Sequence, residues 1–518
     1  MTLFKSTLSI SLITLVSRVS GLIREMLFAA YFGASSQTDA FFVAFRIPNL
    51  LRRLFAEGAL SQAFIPVLSE VKTKKGESAC QLLSLRILTV LLCLLLSIVI
   101  FGIIFADYIV FAMSGGFQGD ETTTDLSTNL TRLMFPYILF ISLSALISGI
   151  QNTFSEFKLP AFIPVILNVA FIASIVLLGP VLDEPVYCLA IGVITGGVAQ
   201  LTLQIWGLNR IGFFKNARQK ITLLLNSKFL DENVRKIVKI FIPATFAVSI
   251  AQISIIINTN IASRLEPGSI SWLSYADRIM EFPTALLGVA LGTVLLPNLA
   301  EAWSTGKSQR ISDLIDWGLK LVFFLALPIS VIVYNLAVPL ASVIFHYGAF
   351  SDYDLDKSAM AISAYSVGII GLISVKIIAP GFYARQEIKI PVMVGILTLI
   401  ITQVLNFILV PIYQHAGLAY AISIAACFNA ILLLSILIRK KIYRPNKLWF
   451  IFVAKIIIGC IVVYLVSAYM SDILDWKAMR TQPLERIFYF VVILMTCLVA
   501  YLSVTKIIGI NFKNLIKQ

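Results

Sequence analysis

The sequence predicts an all-α integral membrane protein with about fourteen transmembrane helices, arranged as two six-helix lobes followed by two further helices. Three observations predict this fold class. Of the 518 residues, 59% are hydrophobic and only 13% are charged, whereas soluble proteins carry about 25% charged residues. Apolar runs of roughly 20 residues, long enough to cross a bilayer as helices, recur along the chain. A repeat at an offset of 231 residues relates the two halves.

The individual spans follow from the apolar runs. The first run contains Arg18 and Arg24 and has no small-residue cleavage site behind it, so we interpret it as a transmembrane helix rather than as a signal peptide. The predicted spans lie near 6–31, 39–70, 82–112, 129–153, 160–180, 186–208, 233–263, 270–302, 311–345, 358–384, 389–412, 417–438, 448–470 and 485–509.

The charge of the loops predicts how the chain is oriented. Basic residues concentrate after even-numbered spans, as in KTKKGE (72–77) and RKKIYRPNK (439–447). Loops after odd-numbered spans, such as HYGAFSDYDLD (346–356), are neutral or acidic. By the positive-inside rule, both termini are expected in the cytoplasm. Membrane topology therefore accounts for the formal net charge of +14, and a nucleic-acid partner is not expected.

The repeat predicts how the spans are grouped. FSEFKLP (154–160) matches RQEIKIP (385–391), and FIPVLSE (64–70) matches LLPNLAE (295–301), at one shared offset. Each copy would hold six spans. Because six is even, both copies insert the same way up and are related by a pseudo-twofold axis along the membrane normal, as parallel repeats are. Such paired bundles suit alternating access with the substrate held between the lobes, although a purely structural duplication is an alternative.

The predicted parts of the chain follow from this grouping. They are an N-terminal lobe at 1–220, an amphipathic cytoplasmic linker at 221–231, a C-terminal lobe at 232–445 and the last two helices at 446–518.

Arginines lie inside the predicted spans, where an ionisable group costs at least about 2.5–3.5 kcal/mol at the helix centre. At 1.5 Å per residue, Arg18 and Arg278 both lie about 18 Å from the cytoplasmic face, too deep for easy snorkelling. A water-filled cavity is therefore expected. We predict that Arg18, Arg24, Arg52 and Arg278 bind an anionic substrate, because guanidinium groups suit phosphate oxygens and a pyrophosphate can engage several of them.

Other charged residues in these spans are candidates for ion pairing or gating. Arg53 and Glu57 form an i,i+4 pair, for which we favour a structural role. The carboxylates are candidates for neutralising the arginines when substrate is absent, with ordinary ion pairing as an equal alternative. The complete set is Asp39, Arg46, Arg53, Glu57, Asp277 and Glu281.

No catalytic residue, metal site or cofactor is predicted. GKS at 306–308 ends like a phosphate-binding loop, but Glu301 stands where that loop requires glycine. DYDLD (352–356) resembles a calcium loop, but Lys357 stands where that loop requires glycine. The six cysteines have no metal-ligand spacing, and the two histidines lie far apart in the sequence.

Three segments resemble a known family: SRVSGLIRE (17–25), TDAFFVAFRIPNLLRRLFAEGALSQAFIPVL (38–68) and SYADRIMEFPTALLGVALGTVLLP (274–297). They closely resemble the MurJ (MviN) lipid II flippases of the MOP exporter superfamily, and the resemblance runs over nearly the whole chain. Asp39 also matches the family.

The resemblance implies that the four predicted substrate-binding arginines line a central cavity, receive the pyrophosphate of lipid II and are required for function. It also implies that the last two helices form a groove for the polyprenyl tail.

The function implied is the movement of lipid II, the undecaprenyl-linked peptidoglycan precursor, from the cytoplasmic to the periplasmic leaflet of the bacterial inner membrane. Membrane lipids and cell-wall synthesis proteins are further candidate partners. An exporter of another polyprenyl-pyrophosphate oligosaccharide and a membrane-embedded polyprenyl-phosphate enzyme are the alternatives. Some relatives bind sodium through a carboxylate in the second lobe. Here the corresponding spans offer no acid, which argues against that site; they offer Thr245, Gln403, Asn406 and Asn429.

Overall fold

The computed structural model consists of helices and connecting segments, with no β-strand in the residues it describes. The all-α prediction is therefore confirmed. The chain divides into two compact units, Met1–Pro267 and Gly268–Gln518. The described residues are 3–52, 59–117, 119–215, 231–446 and 448–510.

The described residues of the first unit form nine α-helices that follow the predicted spans closely. The long helix α3 is interrupted at Gly76, whose positive φ of 84° breaks the helical backbone inside the predicted loop 72–77. The helices are α1 Leu3–Phe32, α2 Ser36–Arg52, α3 Ala59–Ile104, α4 Ala106–Ser114, α5 Glu121–Met134, α6 Tyr137–Thr153, α7 Lys158–Leu178, α8 Tyr187–Arg210 and α9 Glu232–Ala262.

The described residues of the second unit form ten α-helices and one π-helical segment, Thr284–Val289. The π-helical segment joins the first two helices, which together correspond to the predicted span 270–302. The helices are α10 Ser269–Pro283, α11 Ala290–Ser304, α12 Ser308–Asn335, α13 Ala337–Phe345, α14 Asp352–Ser366, α15 Ile369–Tyr383, α16 Lys389–Tyr413, α17 His415–Arg439, α18 Trp449–Asp472 and α19 Pro483–Ile507.

Ten helical segments among the described residues are long and apolar enough to cross a membrane. Four predicted spans are not among these ten: 6–31, 39–70, 233–263 and 270–302. Residues 53–58 of the span 39–70 lie outside the described residues, and the other three spans coincide with helices. The number fourteen therefore stays a prediction. The boundaries of the predicted lobes, linker and last two helices also stay predictions.

The repeat predicted from the sequence reappears as a repeated backbone turn. Ser155 after α6 and Gln386 after α15 both have left-handed φ angles, 65° and 60°. In each turn a glutamate follows the left-handed residue, and its backbone N–H donates to a carbonyl in the last turn of the preceding helix. The bond runs from Glu156 to Gln151 at 2.9 Å and from Glu387 to Phe382 at 3.0 Å. This bond from N–H to the carbonyl five residues earlier is a common way to end a helix. The two copies therefore share local backbone geometry.

In the first unit, α8 packs closely against α7. A Cβ atom built on Gly196 would lie 2.8 Å from Leu167 Cδ1, and one built on Gly207 would lie 2.2 Å from Leu159 Cδ2. Glycines at these contacts let the two helix backbones approach, as small residues commonly do in membrane bundles. Amide side chains join α8 to α6, for example through Gln204 Nε2 and Ser148 Oγ.

In the second unit, α18 and α19 pack on α12 around an apolar cluster that includes Phe324, Val463 and Tyr501. The Tyr501 hydroxyl donates a hydrogen bond of 2.7 Å to the Phe324 carbonyl. Pro328 lies four residues beyond Phe324 in α12 and has no N–H to donate to that carbonyl. The tyrosine of α19 therefore replaces a hydrogen bond that α12 cannot make within itself.

Candidate functional site

Arg24 joins α1 to α7 in the first unit. Its Nη1 donates to Asn168 Oδ1 at 3.1 Å, and its guanidinium lies 5.3 Å from the centre of the Phe171 ring. It also forms an ion pair with Glu25. Asn168 in turn donates to the Ser20 hydroxyl at 3.0 Å. With a side chain only 13% exposed, Arg24 has a structural role in this conformation in addition to any role in binding.

Arg18 lies six residues before Arg24 in α1, about 9 Å along the helix axis. Its side chain is exposed in the first unit. It makes no hydrogen bond or ion pair with any residue that the structure describes. The two arginines of α1 therefore differ: one is held by neighbouring side chains, and the other is exposed.

Helix α2 carries two further predicted arginines. Arg46 Nη1 donates to Thr259 Oγ1, which joins α2 to α9. Arg52 Nε donates to Asn49 Oδ1 at 2.9 Å within α2. The structure therefore shows a positioning contact for Arg46 and places Arg52 at the last residue of the helix. Arg53 and Glu57 lie outside the described residues.

Asp39 lies in the first turn of α2 and is buried, with 2% of its surface exposed. It lines a cavity of about 230 Å³ together with Asp120 and residues at the end of α9. Hydrogen bonds from the hydroxyls of Thr122 and Thr123 lower the pKa of Asp120 to about 2. Asp120 also caps α5, because its side chain accepts from the Thr123 amide at 3.0 Å. Asp39 therefore lines the same cavity as a second carboxylate.

In the second unit, Arg278 and Glu281 form an ion pair on α10. Arg278 Nη1 lies 3.1 Å from Glu281 Oε2, and the two side chains are 41% and 47% exposed. This contact supports the predicted pairing of Glu281 with an arginine. Asp277 lies on the same helix and is partly buried.

Lys376 is a cation in the same unit that sequence reasoning missed. It lies in α15, within the predicted span 358–384, and its Nζ donates to the Thr284 carbonyl at 3.3 Å. Thr284 begins the π-helical segment, a feature common at functional sites. A Cβ atom built on Gly288 would lie 2.6 Å from Lys376 Cδ, so this glycine makes room for the lysine. A lysine inside an apolar run was the signal in the sequence that could have revealed it.

Two of the polar residues considered for sodium in the second lobe donate hydrogen bonds to protein groups. Asn406 Nδ2 donates to Gln403 Oε1 at 3.1 Å within α16, and Thr245 Oγ1 donates to the Phe241 carbonyl at 2.9 Å. Among the residues searched, no group of histidine, cysteine and acidic side chains could hold a metal ion.

The chain is similar to proteins of one family over almost its whole length. The family model described as Lipid II flippase MurJ matches residues 28–484. A protein of Burkholderia cenocepacia named Lipid II flippase MurJ is 46% identical over 512 residues, which cover 99% of this chain and 98% of the relative. A Buchnera aphidicola protein named Probable lipid II flippase MurJ is 42% identical over 466 residues, which cover 90% of each chain.

Solved structures show the same similarity. A structure entitled Lipid II flippase MurJ, inward closed conformation, matches with a TM-score of 0.79 and 26% identity, covering 98% of this chain and 99% of the other. An inward-facing multidrug resistance MATE transporter of the MOP superfamily matches with a TM-score of 0.66 and 14% identity, over 82% and 94% of the two chains, and so shares the fold. On the family match, the full-length identity and the fold together, the chain belongs to the lipid II flippase MurJ family.

Proposed function

We infer that this protein is a lipid II flippase, a transporter and not an enzyme, that moves the lipid-linked peptidoglycan precursor across the membrane. The observation that carries this conclusion is its similarity, over nearly the full length, to relatives named as lipid II flippases. The helical fold, shared with MATE transporters of the MOP superfamily, supports transport by alternating access. This reading is favoured over a membrane-embedded polyprenyl-phosphate enzyme.

The proposed ligand of the arginines is the pyrophosphate that links the sugar to the polyprenyl chain. Arg18, Arg24, Arg52 and Arg278 are proposed to donate charge-assisted hydrogen bonds to its oxygens. Arg18 and Arg278 are best suited to first contact, because their side chains are exposed. Lys376 adds a cation in the unit that holds Arg278, but as a point charge without the planar geometry of a guanidinium.

The carboxylates are proposed to pair with the arginines when no substrate is bound. Glu281 supports this proposal, since it already pairs with Arg278. Binding of a pyrophosphate would compete with that pair, and release would restore it. Asp277 is proposed for the same role in the second unit, whereas the burial of Asp39 beside Asp120 favours a positioning role.

The cellular setting follows from the same function. We propose that the protein lies in the bacterial inner membrane with both termini in the cytoplasm, on the evidence of its loop charges. Lipid II is the proposed substrate, membrane lipids surround the helices, and cell-wall synthesis proteins are candidate partners. The segment 446–518 is proposed to guide the polyprenyl tail.

The decisive experiment measures lipid II on the outer face of spheroplasts in which this protein is the only flippase. Wild-type protein should expose lipid II, and depletion should trap it inside. A variant with both Arg18→Ala and Arg278→Ala should insert normally and expose none. Normal exposure by that variant at normal expression would refute the arginine site. Export of a different polyprenyl-pyrophosphate oligosaccharide, with lipid II left inside, would favour the alternative substrate.

A further inference from the structure

An apolar groove runs between α16 and α17 in the second unit. Its cavity is about 360 Å³ and lies near the start of α16 and the end of α17. Each residue that lines it is apolar, and the set is Ile390, Met393, Val394, Leu397, Leu432 and Ile436. The groove lies on two helices that carry none of the residues proposed to bind the pyrophosphate.

The groove exists because the two helices are close at one end and separate at the other. Near their connection, a Cβ atom built on Gly417 would lie 2.5 Å from the Leu409 carbonyl oxygen, so the backbones almost touch. The helices are farther apart at the other end, where the cavity lies between them. In the first unit, the equivalent end of α7 and α8 is closed by Leu159 packed on Gly207. The repeat places Ile390 and Ile438 at those two positions, so the second unit has a side chain where the first unit has the glycine.

Basic residues lie at the open end of the groove. Lys389 directly precedes Ile390, and Arg439 lies three residues after Ile436. Glu387 is already paired with Lys440 at 2.6 Å and with Arg385 at 3.2 Å. Lys389 and Arg439 are exposed and form no ion pair within the described part of the chain. Two unneutralised cations therefore lie beside the mouth of an apolar groove.

We propose that this groove binds one anionic diacyl phospholipid, with an acyl chain between α16 and α17 and the headgroup phosphate on Lys389 and Arg439. The flanking loops, 384–389 and 439–447, are those that the positive-inside rule places on the cytoplasmic side, where anionic lipids attract basic residues. An apolar groove between two membrane helices binds acyl chains. The basic residues at its open end favour a phospholipid whose headgroup carries a net negative charge. The proposal does not depend on the identity of the transported substrate.

The test uses the full-length protein, purified in detergent, stripped of lipid and titrated with phosphatidylglycerol or phosphatidylcholine in native mass spectrometry. Each basic residue near an anionic lipid surface is worth about fivefold in binding, so two should favour phosphatidylglycerol by about thirtyfold. Lys389→Gln/Arg439→Gln should remove that preference. The matched control is Lys158→Gln/Arg210→Gln, which changes the corresponding ends of α7 and α8, where the groove is closed.

A second variant tests the groove itself. Leu397→Trp fills the cavity from a partly exposed position, and it should weaken the binding of both lipids while leaving the unfolding temperature unchanged. Equal affinity of wild-type protein for the two lipids would overturn the proposal. The same conclusion would follow if both double variants lost the preference equally. Tighter binding of undecaprenyl pyrophosphate, lost in Lys389→Gln/Arg439→Gln, would also overturn it by assigning the groove to the carrier lipid.

Discussion

Replacing Arg278 with alanine is expected to abolish lipid II transport while leaving the fold nearly unchanged. Its ion pair with Glu281 joins two side chains that are 41% and 47% exposed. Exposed pairs of this kind contribute about 0–1 kcal/mol to stability. A hydrogen bond from the guanidinium to a charged pyrophosphate contributes about 1.5–3 kcal/mol, which is roughly a 10- to 150-fold change in affinity. Arg278→Lys should be intermediate, because it keeps the charge and loses the planar donor geometry.

Arg24→Ala provides the contrast. This side chain is 13% exposed and holds Asn168 at 3.1 Å, as well as Glu25. Its removal takes one charged donor away from Asn168 Oδ1 and from Glu25 in a largely buried place, at a cost of about 1–3 kcal/mol. Arg24→Ala should therefore lower both the unfolding temperature and the transport rate, whereas Arg278→Ala should lower only the transport rate.

Two measurements on the same preparations separate these effects: thermal unfolding in detergent and lipid II exposure in spheroplasts. Arg132→Ala is the matched control, since it breaks another exposed ion pair, with Asp107 at 2.7 Å, and should change neither readout. Normal transport by Arg278→Ala would refute the binding role. Destabilisation of Arg278→Ala as large as that of Arg24→Ala would show that its ion pair is structural.

Three further predictions concern energy, packing and pH. Collapsing the membrane potential at constant ATP should slow the outward movement of lipid II, because moving one charge through 100 mV changes the free energy by about 2.3 kcal/mol. Unchanged flipping without potential or ion gradients would exclude a voltage-driven step. Tyr501→Phe should lower the free energy of unfolding by about 1 kcal/mol, because it removes the hydrogen bond from the Tyr501 hydroxyl to the Phe324 carbonyl. Denaturant titration measures this change, and an unchanged midpoint of the unfolding transition would contradict the prediction. Burial, together with the charge of Arg480, lowers the pKa of His346 below its ordinary value of 6.5, so the neutral form is favoured in the folded state. Stability should therefore be constant above pH 6.5 and fall below it, and unfolding temperatures from pH 8 to 5 should decline less in His346→Asn than in wild type.

The sequence predicted local structure well because its signals are local. The charged loop 72–77 correctly marks a break, which the structure places at Gly76. The repeat correctly pairs the turns at Ser155 and Gln386, although their left-handed backbone was not foreseen because neither residue is a glycine. Apolar runs set helix positions to within a few residues, since the cost of burying polar backbone in lipid leaves little choice of structure.

The side-chain contacts of the candidate site were harder to predict from the sequence, because tertiary packing determines which side chains meet. Nothing near Arg24 in the sequence indicates Asn168, which lies 144 residues away. Likewise, nothing near Arg46 in the sequence indicates that it contacts Thr259. The i,i+4 spacing paired Arg53 with Glu57, but spacing along one helix cannot identify the residues of a neighbouring helix. Lys376 was missed because its significance depends on the π-helical segment and Gly288, whose positions no periodicity predicts.

The paired turns also bear on how the chain enters the membrane during synthesis. The backbone hydrogen bonds of these turns join residues within 150–156 or within 380–387, so the backbone geometry of each turn is local. Each can form as soon as its short segment leaves the ribosome, before α7 or α16 is complete. Each turn therefore sets the direction of the next helix early in synthesis. The helices of the bundle then pack as hairpins whose connecting turns have already formed.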